Sequence, residues 1–330
     1  MTSAFSPSQV NQYLEYITLP KKYHPSANPP RDLELLTALH VHHLARIPFE
    51  NLSLHYSASH TVSLDPQVIF DKTVGQARGR GGYCMENTIL FNHVLRGLGF
   101  KVYHTGARIR PRVGGVPQGD YMGWVHSVNI VTLPDGIKYI LDVAFGGDGP
   151  TTPLPILPGQ VTDNIGTQQL RLMHEHLPEQ TDTSPESQQP KFWVYQYRNG
   201  ADKPWNAFYA FPELEFLPSD YEVMNFYTST SPDSFQTTTV LVVKFLMRSG
   251  GTQNGVNRSA EGEDAVMEGE IYGKRMMVNG EIKENLGGKT QLVKTCTNEE
   301  ERLDALREWF GIELTVEEQQ GIRGRGSELK

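Results

Sequence analysis

The 330-residue sequence predicts an α+β protein, with helices in the first hundred residues and mainly strands after them. Two patterns support this class. In the first hundred residues, apolar side chains recur at spacings of three and four, which is typical of helices. After residue 100, apolar and polar residues alternate in short runs between turn residues, which indicates a small antiparallel barrel or sandwich.

Charge and composition exclude several classes of function. The formal net charge of −8 argues against nucleic acid as the main partner, because phosphate binding requires a basic surface. No apolar run has the length of a membrane-spanning helix, and the first residues lack the pattern of a secretory signal. The two cysteines, Cys84 and Cys296, are too few for a disulfide framework. We therefore expect a cytoplasmic protein with reduced thiols and no membrane partner.

Capping and breaking residues divide the helical part. The first helix is predicted to start after Ser6 and to run to about Ile17, and the second begins at Asp32. A third helix covers Asp65 to Ala77. The second helix carries three histidines, but no carboxylate or cysteine completes a metal-ligand set, so we expect no metal site. These histidines are His40, His42 and His43.

A hairpin is the clearest feature of the strand-rich part, which begins at Lys101. Residues 125–131 and 139–145 have the alternation of strands, and they flank the turn residues Pro134-Asp135-Gly136. Hairpin strands pair with each other, so residues at equal distances from the turn should be neighbours.

The remaining chain alternates polar loops with strand-like runs and ends in a helix. The loops are predicted at 178–190 and 250–264. The helix opens at Asn298 with an acidic first turn and ends at Gly311, and the charged chain from Glu317 onward is expected to fray. Further strands are predicted at 192–197, 237–247, 271–277 and 291–295.

The segment Arg80–Asn87 is typical of a reactive cysteine. Its Gly-Gly turn places Cys84 on the first turn of an apolar helix that should stop near Gly97 or Gly99. A thiol at this position lies at the positive end of the helix dipole, which favours the thiolate. The alternative is a buried structural cysteine, which is the interpretation for Cys296.

A nucleophilic cysteine needs a base, and the base needs a group that orients it. His126 and Asp142 lie in the two hairpin strands, nearly equidistant from the turn, which predicts that they are cross-strand neighbours. Each alone could be a satisfied core residue. Together, the carboxylate would stabilise an imidazolium, which would lower the pKa of the thiol. Cys84, His126 and Asp142 are therefore a candidate catalytic triad.

Six separated segments follow one another along the chain: Arg46–Leu52, Arg80–Asn87, Trp124–His126, Leu141–Gly147, Asn225–Pro232 and Phe310–Ile312. In content and order they resemble the arylamine N-acetyltransferase family. The resemblance covers nearly the whole chain, and the polar insertions are similar to those of eukaryotic, specifically fungal, members.

The resemblance implies three domains around a cysteine-protease-like catalytic core. A helical domain over residues 1–100 carries the nucleophile, and a central antiparallel β-barrel over 101–217 carries the base and its orienting acid. An α/β lid follows over 218–330. The implied reaction is ping-pong transfer, in which acetyl-CoA acylates Cys84 and the acetyl group then passes to an arylamine, arylhydroxylamine or hydrazine. Such a reaction serves xenobiotic metabolism and detoxification.

The resemblance also assigns roles to individual residues. Cys84 would accept the acyl group, His126 would be the base and Asp142 its orienting acid. Arg80 and Glu50 would brace the site. The binding positions are Gly123, Trp124 and Tyr227 for CoA, and Phe145 and Gly147 for the amine acceptor. We expect a monomer, with a homodimer as the alternative.

Three alternatives stay open. The basic loop 108–115 is either solvated or meets CoA phosphates or an acidic acyl group, so malonyl-CoA or propionyl-CoA could be the donor. Papain-like proteases use similar residue types, which makes a cysteine hydrolase the second alternative. A binding protein on an inactivated transferase fold is the third, although all three triad residues are present.

Overall fold

A computed structural model describes residues 2–184, 186–248 and 269–330, and within them it confirms the α+β class. The loop predicted at 250–264 lies outside the described residues. The division into domains stays a prediction.

The helices are α1 (Pro7–Tyr16), α2 (Leu33–Arg46), α3 (Leu52–Tyr56), α4 (Pro66–Phe70), α5 (Cys84–Gly97), α6 (Pro218–Thr230), α7 (Phe235–Thr238), α8 (Glu299–Ala305) and α9 (Val316–Gly321). The strands are β1 (Phe49–Glu50), β2 (Lys101–Ile109), β3 (Arg112–Val113), β4 (Val116–Pro117), β5 (Trp124–Thr132), β6 (Lys138–Leu141), β7 (Leu154–Pro155), β8 (Thr162–Asp163), β9 (Gln169–Glu175), β10 (Phe192–Arg198), β11 (Asn206–Phe211), β12 (Leu241–Arg248), β13 (Glu270–Val278), β14 (Glu281–Asn285) and β15 (Gln291–Thr295).

The N-terminal helices begin where the sequence predicts, because polar side chains cap them. The side chains of Ser6, Asp32 and Asp65 accept hydrogen bonds from backbone N–H groups in the first turns of α1, α2 and α4. The third predicted helix changes geometry partway, since α4 continues as a π-helical turn over Asp71–Gly75. None of the described helices is long and apolar enough to span a membrane.

Helix α5 is the central helix of the fold. It packs against α1, α4, β2 and β5. Its apolar residues Leu90, Phe91, Val94 and Leu95 have no exposed surface. Because α5 is enclosed in this way, its first residue, Cys84, is held at a fixed place between the helices and the large sheet.

The large sheet has eight antiparallel strands in the order β7-β6-β5-β2-β11-β10-β9-β8 and forms a nearly closed barrel. The predicted hairpin turn at 134–136 is present, closed by a 2.9 Å hydrogen bond from the N–H of Leu133 to the carbonyl oxygen of Ile137. Strand β6 ends at Leu141 and not at residue 145. Asp142 therefore follows the strand directly.

The second sheet joins the C-terminal strands to the segment that precedes α3. Its order is β1-β12-β13-β14-β15, and β1 contributes Phe49 and Glu50, which pair with Val243 and Val242 of β12. Phe49 also forms a bridge to Gly82, two residues before Cys84. The C-terminal sheet is therefore connected through two residues of β1 to the loop that carries Cys84.

Two predictions about the C-terminal third are wrong. The run at 237–247 begins as the short helix α7, because the hydroxyl of Ser234 caps it, and the strand starts only at Leu241. The chain from Glu317 onward does not fray. Thr315 caps α9 there through a hydrogen bond from the N–H of Glu318.

We expect Gly81→Ala to destabilise the fold, because a Cβ atom at this position would overlap the carbonyl oxygen of Pro48 and contact Ile47 at 3.2 Å. Neither group can move without displacing the segment before β1, so the loss should be at least about 2 kcal/mol of unfolding free energy. Urea denaturation measures it. The matched control is Gly288→Ala, where no atom lies within 4 Å of the added Cβ. Equal denaturation midpoints for the two variants would contradict the packing argument.

Candidate active site

Cys84 is the first residue of α5, and the residues around it fix the preceding turn. The carboxylate of Glu86 accepts a hydrogen bond from the N–H of Tyr83 at 3.1 Å, which caps the helix. Asn87 donates its side-chain N–H to the carbonyl oxygen of Gly82 at 2.9 Å. The Gly-Gly turn is thus held from inside the helix, and only 4% of the Cys84 surface is exposed.

Arg80 and Glu50 form a buried ion pair directly before this turn. Arg80 Nε donates to Glu50 Oε1 at 2.9 Å, and their side chains are 2% and 0% exposed. The Glu50 carboxylate also accepts hydrogen bonds from the backbone N–H groups of Gly81 (3.2 Å) and Leu52 (2.7 Å). Burial by itself would raise the pKa of Glu50, but the charges of Arg80 and Lys72 outweigh it and hold that pKa at about 2.

A second carboxylate, which the sequence analysis missed, reaches the same guanidinium. Arg80 Nη1 donates to Glu318 Oε1 at 2.7 Å, and Arg78 Nη1 donates to Glu318 Oε2 at 2.5 Å. The hydrogen bond from Arg78, the N–H of Thr315 and the charge of Arg80 outweigh burial and lower the pKa of Glu318. Arg80 and Glu318 are 238 residues apart. No local pattern in the sequence could have paired them.

His126 and Asp142 are in direct contact. His126 Nε2 lies 2.9 Å from Asp142 Oδ2, and the other carboxylate oxygen accepts the N–H of Ala144 at 3.0 Å. An ionised carboxylate can only accept, so Nε2 carries the proton and Nδ1 is the basic nitrogen. The predicted cross-strand contact is confirmed. The register pairs Asn129 with Leu141, which makes Asp142 a diagonal neighbour of His126.

The thiol of Cys84 lies beside the same strand. Its Sγ is 3.7 Å from the carbonyl oxygen of Val125, the residue before His126. Burial raises the pKa of this thiol to about 12, although the N–H groups of Met85 and Cys84 at the start of α5 lower it in part. The predicted resting thiolate is therefore not what this environment favours. Burial thus opposes the thiolate, and a neighbouring base would have to offset it for the thiol to act as a nucleophile.

Three residues were predicted to contact CoA, and they lie on two elements. Gly123 is exposed, and a Cβ at this position would meet no atom within 4 Å. Trp124 follows at the start of β5 and lies half-buried under the guanidinium of Arg108, 4.1 Å from the ring centroid. Tyr227 lies on α6 and is 40% exposed. Arg108 was predicted to belong to a loop over 108–115, but it lies in β2 and pairs with Trp124 of β5 in the sheet register. Its stacking on Trp124 shows that this arginine is not simply solvated.

Helix α6 is tied to the residue that precedes the nucleophile. The hydroxyl of Tyr83 contacts the side-chain oxygen of Asn225 and lies 3.1 Å from the hydroxyl of Thr228. Asn225 in turn donates to the carbonyl oxygen of Val62 at 3.1 Å. These contacts hold the helix that carries Tyr227 against the start of α5.

Phe145 and Gly147, predicted to shape the acceptor pocket, follow Asp142 along the chain. The half-buried ring of Phe145 lies 4.9 Å from the imidazole of His126, between centroids, and 4.6 Å from the ring of Phe208. The carbonyl oxygen of Gly147 accepts a hydrogen bond from Lys274, a buried lysine that the sequence analysis did not single out. Phe145 therefore borders the triad, and Gly147 lies one turn farther from it.

The helix histidines are core residues. His40 lies 3.0 Å from the carbonyl oxygen of Pro150, and His43 lies 2.7 Å from the hydroxyl of Tyr13. Burial lowers the pKa values of these two histidines to about 4 and about 3. Among the described residues, no group of three or more His, Cys, Asp or Glu side chains is arranged to hold a metal ion.

The chain is similar to known proteins in both sequence and fold. A family model described as N-acetyltransferase matches residues 32–253. The chain is 35% identical to the N-malonyltransferase FDB2 of Fusarium pseudograminearum over 96% of this chain and 92% of that protein. The arylamine N-acetyltransferase of Nocardia farcinica superposes with a TM-score of 0.71 at 25% identity, covering 95% and 92% of the two chains. That of Mycobacterium marinum in complex with CoA gives 0.69 at 23% identity, covering 95% and 98%.

The Glu50–Arg80 pair predicts a specific dependence of stability on pH. The folded-state pKa of Glu50, about 2, is below its ordinary value of 4.5. Its contribution to stability is therefore complete above about pH 4.5 and is lost as the pH falls toward 2. We expect Glu50→Gln to lower the free energy of unfolding at pH 7 by about 3 kcal/mol, because Arg80 loses a buried partner.

This difference between wild type and Glu50→Gln should shrink as the pH falls from 4.5 to 3, which urea denaturation at several pH values measures. Glu300→Gln, at an exposed carboxylate, is the control and should stay within about 0.5 kcal/mol of wild type. A difference for Glu50→Gln that is constant with pH would show that its charge is not the stabilising element.

Proposed function

The chain belongs to the arylamine N-acetyltransferase family and is an acyltransferase that uses acyl-CoA, and we propose that Cys84 carries the acyl group to the nitrogen of an arylamine, arylhydroxylamine or hydrazine. One observation carries this proposal: the Cys84 thiol lies 3.7 Å from the backbone carbonyl of Val125 in β5, and the next residue of that strand, His126, is oriented by Asp142 through Nε2 and Oδ2 atoms 2.9 Å apart. A buried thiol beside the strand that carries an oriented imidazole has the parts that nucleophilic catalysis needs.

In the first half-reaction, His126 Nδ1 accepts the thiol proton of Cys84 while the sulfur attacks the thioester carbonyl of acyl-CoA. A new carbon–sulfur bond to Cys84 forms, the bond to CoA breaks, and CoA leaves as a thiol with the proton from His126. Asp142 stabilises the transient imidazolium. One thioester replaces another with little driving force, so this step is reversible.

In the second half-reaction, the amine nitrogen attacks the acyl carbon on Cys84. The amide bond forms, the bond to Cys84 breaks, and a proton passes from the nitrogen through His126 to the departing sulfur. The N–H groups of Cys84 and Met85, which already offset part of the burial penalty on the sulfur, stabilise its negative charge in both steps.

We place CoA along Gly123, Trp124 and Tyr227, and the amine beside Phe145 and Gly147. The open backbone at Gly123 supports the first placement, since a cofactor can approach it without meeting a side chain. The contact between the rings of Phe145 and His126 supports the second, because an acceptor bound on Phe145 would lie next to the base. A relative of this fold has been solved in complex with CoA, which supports CoA as the acyl carrier.

A second candidate function is the same mechanism with malonyl-CoA, or with propionyl-CoA, in place of acetyl-CoA. The observation that favours malonyl-CoA is the 35% identity, over 96% of this chain, to a fungal protein named N-malonyltransferase. We further propose that the enzyme acts in the cytoplasm as a monomer, with a homodimer as the alternative.

Intact-protein mass spectrometry after mixing with acetyl-, propionyl- or malonyl-CoA, without an acceptor, tests the assignment of the nucleophile. We expect one acyl mass on the peptide that carries Cys84, and we expect an added arylamine to discharge it. Cys84→Ser should take up no acyl group while keeping its fold, because the two side chains are nearly isosteric. Cys296→Ser is the matched control and should behave like wild type. Acylation of Cys84→Ser at the wild-type rate would refute the proposal.

The raised pKa of Cys84 predicts how acylation without a base depends on pH. In His126→Gln the thiol must ionise by itself. Its thiolate fraction then rises about tenfold with each unit of increase in pH, as long as the pH is below the thiol pKa of about 12. We expect acylation of this variant to be about 100-fold or more slower than wild type at pH 7 and to recover steadily toward pH 10. Stopped-flow measurement of CoA release gives both profiles. Parallel profiles for wild type and variant would mean that His126 is not the base.

A further inference from the structure

Lys274 of β13 is a charged residue that the proposed mechanism does not use. It is only 8% exposed, although lysine is rarely buried without a partner. Its ammonium donates a hydrogen bond to the carbonyl oxygen of Gly147 and lies 3.8 Å from Asp148 Oδ1. The first contact uses one of three N–H donors, and the second is longer than a hydrogen bond. The ammonium therefore keeps donors for another oxygen.

The charges around this lysine do not balance. The carboxylate of Asp148 also binds Arg112, whose Nη2 lies 2.7 Å from Oδ2. Two cations thus share one carboxylate, which leaves the cluster of Lys274, Arg112 and Asp148 with one excess positive charge. Burial lowers the pKa of Lys274, and the charge of Asp148 offsets this only in part. A buried cation without a full counter-ion is unfavourable, and a bound anion would remove that imbalance.

The cluster lies one turn of chain from the triad. Phe145 contacts the imidazole of His126, and the tight turn Gly146–Asp148 leads from it to Asp148. Phe145 and the charged cluster are also connected through Phe208. The rings of Phe145 and Phe208 are 4.6 Å apart between centroids, and the guanidinium of Arg112 lies 4.7 Å from the centroid of the Phe208 ring. Since a tight turn rises by about 2 Å per residue, a substrate in contact with Phe145 would have Lys274 within its reach.

The absence of a side chain at Gly147 leaves room for the ammonium group of Lys274. A Cβ at residue 147 would lie 3.2 Å from Met276 Sδ and 3.5 Å from Lys274 Nζ. Any larger side chain would have to displace both residues. Met276 also packs against the apolar cluster that contains Cys84. The position that a side chain at 147 would occupy, beside the expected acceptor pocket, is therefore filled by the head of Lys274.

We propose that Lys274, supported by Arg112 and Asp148, binds a carboxylate group carried by a substrate of this enzyme. The inference rests on the proposed acyl transfer through Cys84 and specifies the charge of the substrate. A carboxylate could enter in two ways: on the acyl group of a malonyl donor, or on the ring of an aminobenzoate acceptor. Lys274 then selects for an anionic substrate, and it takes no part in moving the thiol proton.

The experiment compares wild type with Lys274→Met, which removes the charge and keeps the length of the side chain. The donors are acetyl-CoA and malonyl-CoA, scored by acylation of Cys84, and the acceptors are aniline and 4-aminobenzoate, scored by discharge of the acetyl-enzyme. Lys283→Met is the matched control, because Lys283 lies on the neighbouring strand, opposite Met276, and pairs with Glu281 at 2.6 Å.

We expect Lys274→Met to keep wild-type rates with acetyl-CoA and aniline and to lose about tenfold or more with one carboxylate substrate, the size of a lost charged hydrogen bond. A loss confined to malonyl-CoA places the carboxylate on the donor, and a loss confined to 4-aminobenzoate places it on the acceptor. Lys274→Arg should recover part of the lost rate, because the charge is restored.

Equal rates for wild type and Lys274→Met with all four substrates would overturn the proposal. So would a loss of the same size with charged and neutral substrates, which would indicate a purely structural lysine. Failure of the acyl transfer itself has a different outcome, since wild type would then take up no acyl group from either donor.

Discussion

In the proposed mechanism, the sulfur of Cys84 carries negative charge at a place from which water is largely excluded, and the surrounding structure has to meet this constraint. Burial opposes ionisation of the thiol. The N–H groups at the start of α5 offset part of this effect. In the proposed mechanism, His126 takes up the thiol proton, and the Asp142 carboxylate, 2.9 Å from Nε2, stabilises the resulting imidazolium. Each acts only at short range, so the turn before Cys84 must be rigid, which the buried pair of Arg80 and Glu50 ensures.

The sequence predicted the features that depend on residues close together in the chain, and it missed the contacts between residues that are far apart in the chain. Helix caps at Ser6 and Asp32 and the hairpin turn at 134–136 are decided by neighbouring residues, so local patterns identified them. The contact of His126 with Asp142 was predicted through the same hairpin. Its diagonal geometry follows from the same hairpin, because the turn closes symmetrically about Asp135 and pairs Asn129 with Leu141.

Polar contacts between residues far apart in the chain could not be predicted from the sequence. Glu318 and Lys274 contact partners that are 238 and 127 residues away. Neither the polar run around Glu318 nor the strand that carries Lys274 has a local feature that identifies the partner. The two resulting clusters also have opposite character. At the nucleophile loop, Arg80 faces two carboxylates. Beside Gly147, two cations face the single carboxylate of Asp148. Arg80 therefore has two carboxylate partners, whereas Lys274 and Arg112 share one.

The contact between Arg80 and Glu318 also sets an order of events during translation. Arg80 and Cys84 leave the ribosome more than two hundred residues ahead of Glu318, since 238 positions separate the two partners. Until residue 318 has emerged, the guanidinium has Glu50 as its carboxylate partner and lacks the one on α9. Until then, the loop that carries the candidate nucleophile Cys84 lacks the second carboxylate that braces Arg80, and α9 supplies it more than two hundred residues after that loop is made.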